Sequence, residues 1–135
     1  MSSSSSSLGS LGFTKAQRLL KPADFQRVFD QVDCKQGGKY CTLLSRKNNG
    51  DACRLGLIVA KRNIKQAVGR NRVKRLVRES FRHSANSFDK LPHRFDVIVL
   101  VKAQAAMASS HDLRLELDRQ WSKLINKRTD LDQDS

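Results

Sequence analysis

The sequence predicts class α+β: one small sheet with helices packed on it. Three patterns carry that expectation. Phe25, Val28, Phe29 and Val32 recur at i, i+3, i+4 and i+7, the spacing of an amphipathic helix. Phe95 to Val101 (FDVIVLV) is a nearly continuous β-branched and aromatic run, as in a central strand covered on at least one face. Leu113, Leu117, Trp121 and Leu124 then return to helical spacing.

Taken in order, residues 1–12 are Ser-rich and hold too little apolar surface for a core, so they are predicted to be disordered. They have neither a basic start nor a long apolar stretch, which argues against a secretory signal. Pro22 suits a first helical turn, and the helix should run to Val32. Gly37-Gly38 breaks the pattern. Tyr40 to Arg46 reads as a strand ending at the turn signal Asn48-Asn49-Gly50-Asp51, and Arg54 to Ala60 as a second. The two look like an antiparallel hairpin with a long loop. Gln66 to about Asn86 reads as a helix. Ser109, three residues before Asp112, is the expected N-cap of the last helix. Asp130, Asp132 and Asp134 mark residues 129–135 as an acidic flexible tail, leaving one domain over 13–128.

Charge narrows the function. Lys and Arg number 26 against 13 acids, for a net charge of +13. Such a surface attracts nucleic acid, an anionic membrane or an acidic protein. No run of about 18 apolar residues is present, so no membrane-spanning helix is expected. Cys34, Cys41 and Cys53 are odd in number and lack a Cys-x-x-Cys pair, which reads as reduced thiols in a cytoplasm rather than disulfides or a zinc site.

The chemistry concentrates between residues 61 and 82, where Lys61, Arg62, Lys65, Arg70, Arg72, Lys74, Arg75, Arg78 and Arg82 face a single acid, Glu79. At about 100° per residue, Val73, Leu76, Val77 and Phe81 form one stripe and Asn71, Lys74, Arg75, Arg78 and Arg82 the other side. Arg70 sits at the boundary and Arg72 on the far flank. A mixed Lys/Glu face would read as merely solvated. A row of one sign destabilises an isolated helix by a few tenths of a kcal/mol per pair and calls for an external polyanion. Arg offers phosphate a planar donor fork, and Asn71 can donate and accept toward a base or a 2′-hydroxyl.

Lys61-Arg62 followed by Ala67-Val68-x-Arg70-Asn71-Arg72-Val73-Lys74-Arg75-Leu76-Val77-Arg78-Glu79 closely resembles the RNR signature of the bacterial ribonuclease P protein component. Arg18-Leu19 with Asp24 to Phe29 resembles that family's opening helix, Leu55 to Lys61 the strand entering the motif, Phe95 to Val99 the strand after it, and Leu117 to Leu124 its closing helix. The resemblance spans roughly residues 13–127; the Ser-rich start and acidic end lie outside it.

The resemblance implies an α/β sandwich with a four-stranded mixed sheet, three helices and a left-handed strand–helix–strand crossover. It implies a ribonucleoprotein endoribonuclease whose RNA subunit carries the chemistry with bound Mg2+. Lys61, Arg62, Arg70, Asn71, Arg72, Lys74, Arg75 and Arg78 would contact that RNA. A cleft between the opening helix and the sheet would take the single-stranded 5′ leader of precursor tRNA, with Phe25 and Phe29 in it and Arg18 and Tyr40 as further members. The protein would act as a monomer within the ribonucleoprotein, with no catalytic or metal-binding residue of its own. His83, His93 and His111 are scattered, and Asp89 and Asp96 show no recognisable pairing. Two other readings fit the basic helix: a small ribosomal or other structured-RNA-binding protein, and a duplex-DNA binder.

Overall fold

The computed structural model describes residues 22–48, 50 and 52–133. Its elements are α1 (Pro22–Asp30), β1 (Cys34–Gly37), β2 (Cys41–Asn48), β3 (Arg54–Ile58), α2 (Ala67–His83), the short α3 (Ala85–Phe88), β4 (Arg94–Val101), a 3₁₀ turn (Ala103–Met107) and α4 (Ser110–Gln133). The disorder expected of residues 1–12 lies outside the described residues.

The sheet has the order β1-β2-β4-β3. β1 and β4 both pair antiparallel with β2, whereas β3 runs parallel to β4, with Leu55 opposite Val97. The expected β2–β3 hairpin is therefore not formed: β4 lies between the two strands. The reason is in β4 itself. Phe95, Val97, Val99 and Val101 point to one face and Ile98 to the other, and all five are buried. A strand apolar on both faces belongs in the middle of a sheet. The β2–β3 loop is adapted to the gap, since Asn48 Nδ2 donates across it to Asp96 Oδ1 on β4 (2.7 Å) and to Ala52 O (3.2 Å).

Helices cover both faces. Val73, Val77 and Phe81 of α2 and Leu113, Leu117, Trp121 and Leu124 of α4 pack with Phe88 on the Phe95–Val97–Val99 side. α1 covers the other side, where Val28 meets Ile98. Ser109 Oγ accepts from the Asp112 amide at 3.0 Å, as its spacing predicts. α4 does not end at residue 128: Thr129 to Gln133 are helical rather than a loose acidic tail. The buried Arg128 explains the extension. Its Nη1 donates to Asp33 Oδ1 (2.7 Å) and Ser45 Oγ (2.9 Å), and its guanidinium lies over the Phe95 ring at 5.0 Å. That anchor holds the last turns of α4 against the sheet.

β1 is a strand that hydropathy does not reveal. Its Cys-Lys-Gln-Gly sequence is polar, yet Cys34 and Gln36 alternate into the interior. Gly38 follows it because a Cβ there would collide with the Gln120 side-chain amide of α4.

Candidate nucleic-acid interface

α2 docks through its apolar stripe, and the docking orients everything else. Val73, Val77 and Phe81 are buried, and Phe81 and Phe88 each set an edge against Trp121. Trp121 Nε1 donates to the buried Ser80 Oγ at 2.7 Å, and the Ser80 hydroxyl in turn donates to Asp118 Oδ1 at 2.9 Å. These bonds fix the rotation of α2. Glu79 is turned toward α4, 3.9 Å from Arg114.

Opposite that stripe, Asn71, Arg75 and Arg82 are exposed and Lys74 and Arg78 half-buried. Lys61, Arg62 and Lys65 are exposed on the turn leading into the helix. That turn is rigid: Asn63 and Ile64 amides donate to Ala60 O, and Asn63 Nδ2 donates to Val101 O at 3.0 Å. Among the described residues, Lys61, Arg62, Lys65, Lys74, Arg75 and Arg82 have no acidic partner within 4.0 Å.

Arg70 and Arg72 are differently employed. Arg70 Nη1 folds back onto Ile64 O (3.0 Å) and Lys65 O (2.8 Å), bracing the turn that carries Lys61 and Arg62. Arg72 bridges from α2 to the start of α4, donating to Ser110 Oγ (3.1 Å) and Ala108 O (3.2 Å). None of these bonds is to an acid: the partners are carbonyls and a hydroxyl. Sequence periodicity locates these arginines at the margins of the face but is silent on their internal bonds.

The second surface lies where α1 crosses the sheet. Arg54 grips Asp96 with two bonds (2.9 and 2.8 Å) and stands 3.8 Å from Asp24 of α1, so one guanidinium ties helix to sheet. The hydrogen bonds to Asp96 raise the Arg54 pKa further above its already high ordinary value, and Asp24 adds a smaller push in the same direction. Phe25 is half-buried against Val28 and Ile98, with Leu44, Ile58 and Leu100 around them. Phe29 is 40% exposed and Val32 38%. Leu44 and Arg46 belong to this face and are missed by motif reading. The alternation of buried Cys41, Leu43 and Ser45 along β2 is the signal that finds them.

Tyr40 is not with Phe25 and Phe29. It packs toward α4, its amide donating to Glu116 Oε2 at 2.7 Å. Tyr40 precedes β2 in a bend, so strand alternation does not govern its direction. Arg18 lies outside the described residues. Among the described residues no three His, Cys, Asp or Glu side chains gather to hold a metal ion, and no helix is long and apolar enough to cross a membrane. Cys34, Cys41 and Cys53 are free and buried.

The family model described as Ribonuclease P matches residues 13–125. The chain is 37% identical over 116 residues to the ribonuclease P protein component of Pseudomonas aeruginosa, covering 86% of this chain and 83% of that one. It is 43% identical over 112 residues to the same component of Aliivibrio fischeri, covering 83% and 92%. In three dimensions it resembles the RNase P protein of Staphylococcus aureus (TM-score 0.65, 26% identity, 83% of this chain and 94% of that one). It resembles that of Thermotoga maritima equally (TM-score 0.65, 27% identity, 82% and 96%). These matches set aside the ribosomal and duplex-DNA readings. The chain belongs to the bacterial ribonuclease P protein family, the protein component of the ribonucleoprotein endoribonuclease that matures the 5′ ends of transfer RNAs.

Proposed function

We propose that the two surfaces divide the work of the subunit. The α2 face, with Lys61, Arg62, Arg70, Asn71, Arg72, Lys74, Arg75 and Arg78, binds ribonuclease P RNA. The α1–sheet face takes the 5′ leader of precursor tRNA, with Phe29 as a stacking platform, Phe25 beneath it, and Leu44 and Arg46 on the sheet side. Arg18 belongs to the same cleft by family resemblance. The observation that carries this reading is the single-signed α2 face, where Lys61, Arg62, Lys74 and Arg75 have no acidic partner within 4.0 Å among the described residues.

The division has a physical logic. Arg and Lys facing phosphates displace condensed counterions and supply affinity without reading sequence. Stacking a base on an aromatic contributes about 1–3 kcal/mol and tolerates every base, which suits leaders of variable sequence. Magnesium ions held by the RNA subunit would supply the activation of water and the charge stabilisation of the leaving oxygen. The protein positions the leader and lowers the repulsion between two polyanions. It acts as one copy per particle, in a cytoplasm where its thiols stay reduced.

The experiment is to add the purified chain to ribonuclease P RNA at low magnesium and follow cleavage of precursor tRNA. Stimulation is expected; its absence would reject the proposed roles of both surfaces.

A further inference from the structure

The outer flank of α4 forms a second cationic surface. The buried stripe of Leu113, Leu117, Trp121 and Leu124 divides the charges of this helix into two flanks. Toward α2 the charges satisfy one another: Arg114 pairs with Asp118 (3.2 Å) and reaches Glu79. Toward β1 they do not. Arg119, Lys123 and Lys127 stand exposed at i, i+4 and i+8, with no acidic partner within 4.0 Å among the described residues. Lys127 Nζ donates to Lys35 O at 2.8 Å, which pins this flank to the β1 edge.

At its N-terminal end the row opens on a cavity of about 200 Å³ lined by Lys39, Tyr40, Asp112, Leu115, Glu116 and Arg119. Lys39 Nζ lies over the Tyr40 ring, 5.4 Å from its centre, and Leu115 is 47% exposed. Glu116 is already engaged, accepting from the Lys39 and Tyr40 amides (2.9 and 2.7 Å) and from Gln120 Nε2 (3.2 Å). Asp112 is the acid left to serve a ligand.

We propose that this flank is a second single-stranded RNA site, with one base received beside Tyr40 and the adjoining phosphates carried by Arg119 and Lys123. Tyr40 and Leu115 give a flat ring aromatic and apolar walls. The Asp112 carboxylate accepts from an exocyclic amino group, so cytosine, adenine and guanine are favoured over uracil, which offers it only the ring N3–H. Arg119 meets the phosphate at the mouth, and the helix carries the cationic row about 12 Å further to Lys127. A duplex keeps its bases stacked and cannot fill the cavity. A membrane would need more exposed apolar surface than Leu115, and an acidic peptide offers Asp112 only repulsion. This flank faces the β1 edge while the α2 face lies across the helical layer, so both can hold RNA together.

The test uses the full-length ¹⁵N-labelled chain, titrated with the ribotrinucleotides CCC and UUU at one low salt concentration. Saturable shifts are expected at the amides of Lys39, Tyr40, Leu115 and Arg119, with CCC binding about threefold or more tighter than UUU. Arg119→Glu combined with Lys123→Glu changes two exposed side chains and should weaken those shifts by about tenfold or more, leaving shifts on α1 and α2 in place. Leu115→Glu, on the cavity wall, should act the same way. Silence at these amides, or shifts that survive the double substitution, would overturn the site. Equal affinity for the two trimers would overturn the seating of the base against Asp112. A polyglutamate peptide binding as tightly as CCC would overturn RNA in favour of an acidic protein.

Discussion

At the scale of single residues, charge and structure are separable in the signature helix. Arg72 holds the start of α4 with a two-pronged guanidinium, whereas the exposed Arg75 side chain has no hydrogen bond or ion pair among the described residues. Arg72→Lys keeps the charge but loses the fork, and should lower folding stability by about 1 kcal/mol while leaving the salt dependence of RNA assembly unchanged. Arg75→Ala should do the reverse. Its stability should stay within about 0.5 kcal/mol of the parent. Its log–log salt slope should fall by about 0.7–0.9, the loss of one phosphate contact. Denaturant melts and binding titrations at several salt concentrations read both, and an unchanged slope for Arg75→Ala would remove it from the interface. The buried thiols add a pH dependence. Burial, with the nearby Glu116 carboxylate adding to it, pushes Cys41 from 9.0 up to about 12. Cys34 and Cys53 are raised as well, again chiefly by burial. Between the unfolded and folded values the native chain holds more protons than the unfolded one. Stability should therefore be full below about pH 9 and fall above it, by up to about 1.4 kcal/mol per pH unit for each such thiol. Thermal melts from pH 8 to 10.5 check the direction, and Cys41→Ala should flatten the decline.

At the scale of elements, α1 is a helix with two duties. Val28 is buried against Ile98, while Phe29 is 40% exposed one residue on. Phe29→Ala should weaken leader-bearing tRNA over mature tRNA by about 1–3 kcal/mol at little cost in stability. Phe25→Ala, which removes packing around Val28, should cost stability as well. Equal losses for both tRNAs with Phe29→Ala would place the leader elsewhere. α2 and α4 were legible because each buries one stripe at a fixed period, written in Val73–Phe81 and Leu113–Leu124; the period of Phe25–Val32 announced α1 as well, but that helix ends at Asp30 and fully buries only Val28. Strand order was not, because it depends on which strand is apolar on two faces, and β2 and β3 match each other as well as they match β4. β1 escaped notice because its interior positions are Cys34 and Gln36. The exposed cations of α2 were readable from helical spacing. The bonds of Arg70 and Arg72 were not, since their partners, Ile64, Lys65, Ala108 and Ser110, include backbone carbonyls that no residue type announces. Tyr40 was misassigned because a bend, rather than strand alternation, decides which way it points.

At the scale of the whole molecule, the net charge of +13 is organised on a frame that holds its cations apart from its acids. Arg54–Asp96 and Arg128–Asp33 occupy acids within the fold and Arg114–Asp118 another along α4, while Lys74, Arg75 and Arg82 of α2 have no acidic partner among the described residues. A surface of this kind does for two approaching RNAs what diffuse divalent cations also do, namely reduce their mutual repulsion. The acceleration the protein gives to leader-bearing substrate should thus be largest at low magnesium and shrink as magnesium rises. The two surfaces should separate in the same titration. Arg75→Ala should lower the acceleration only at low magnesium, where charge is limiting. Phe29→Ala should lower it throughout, because no ion replaces a stacking platform. Single-turnover cleavage of precursor tRNA across a magnesium series measures this. An acceleration independent of magnesium would mean that shape, and not charge, is what the protein contributes to the particle.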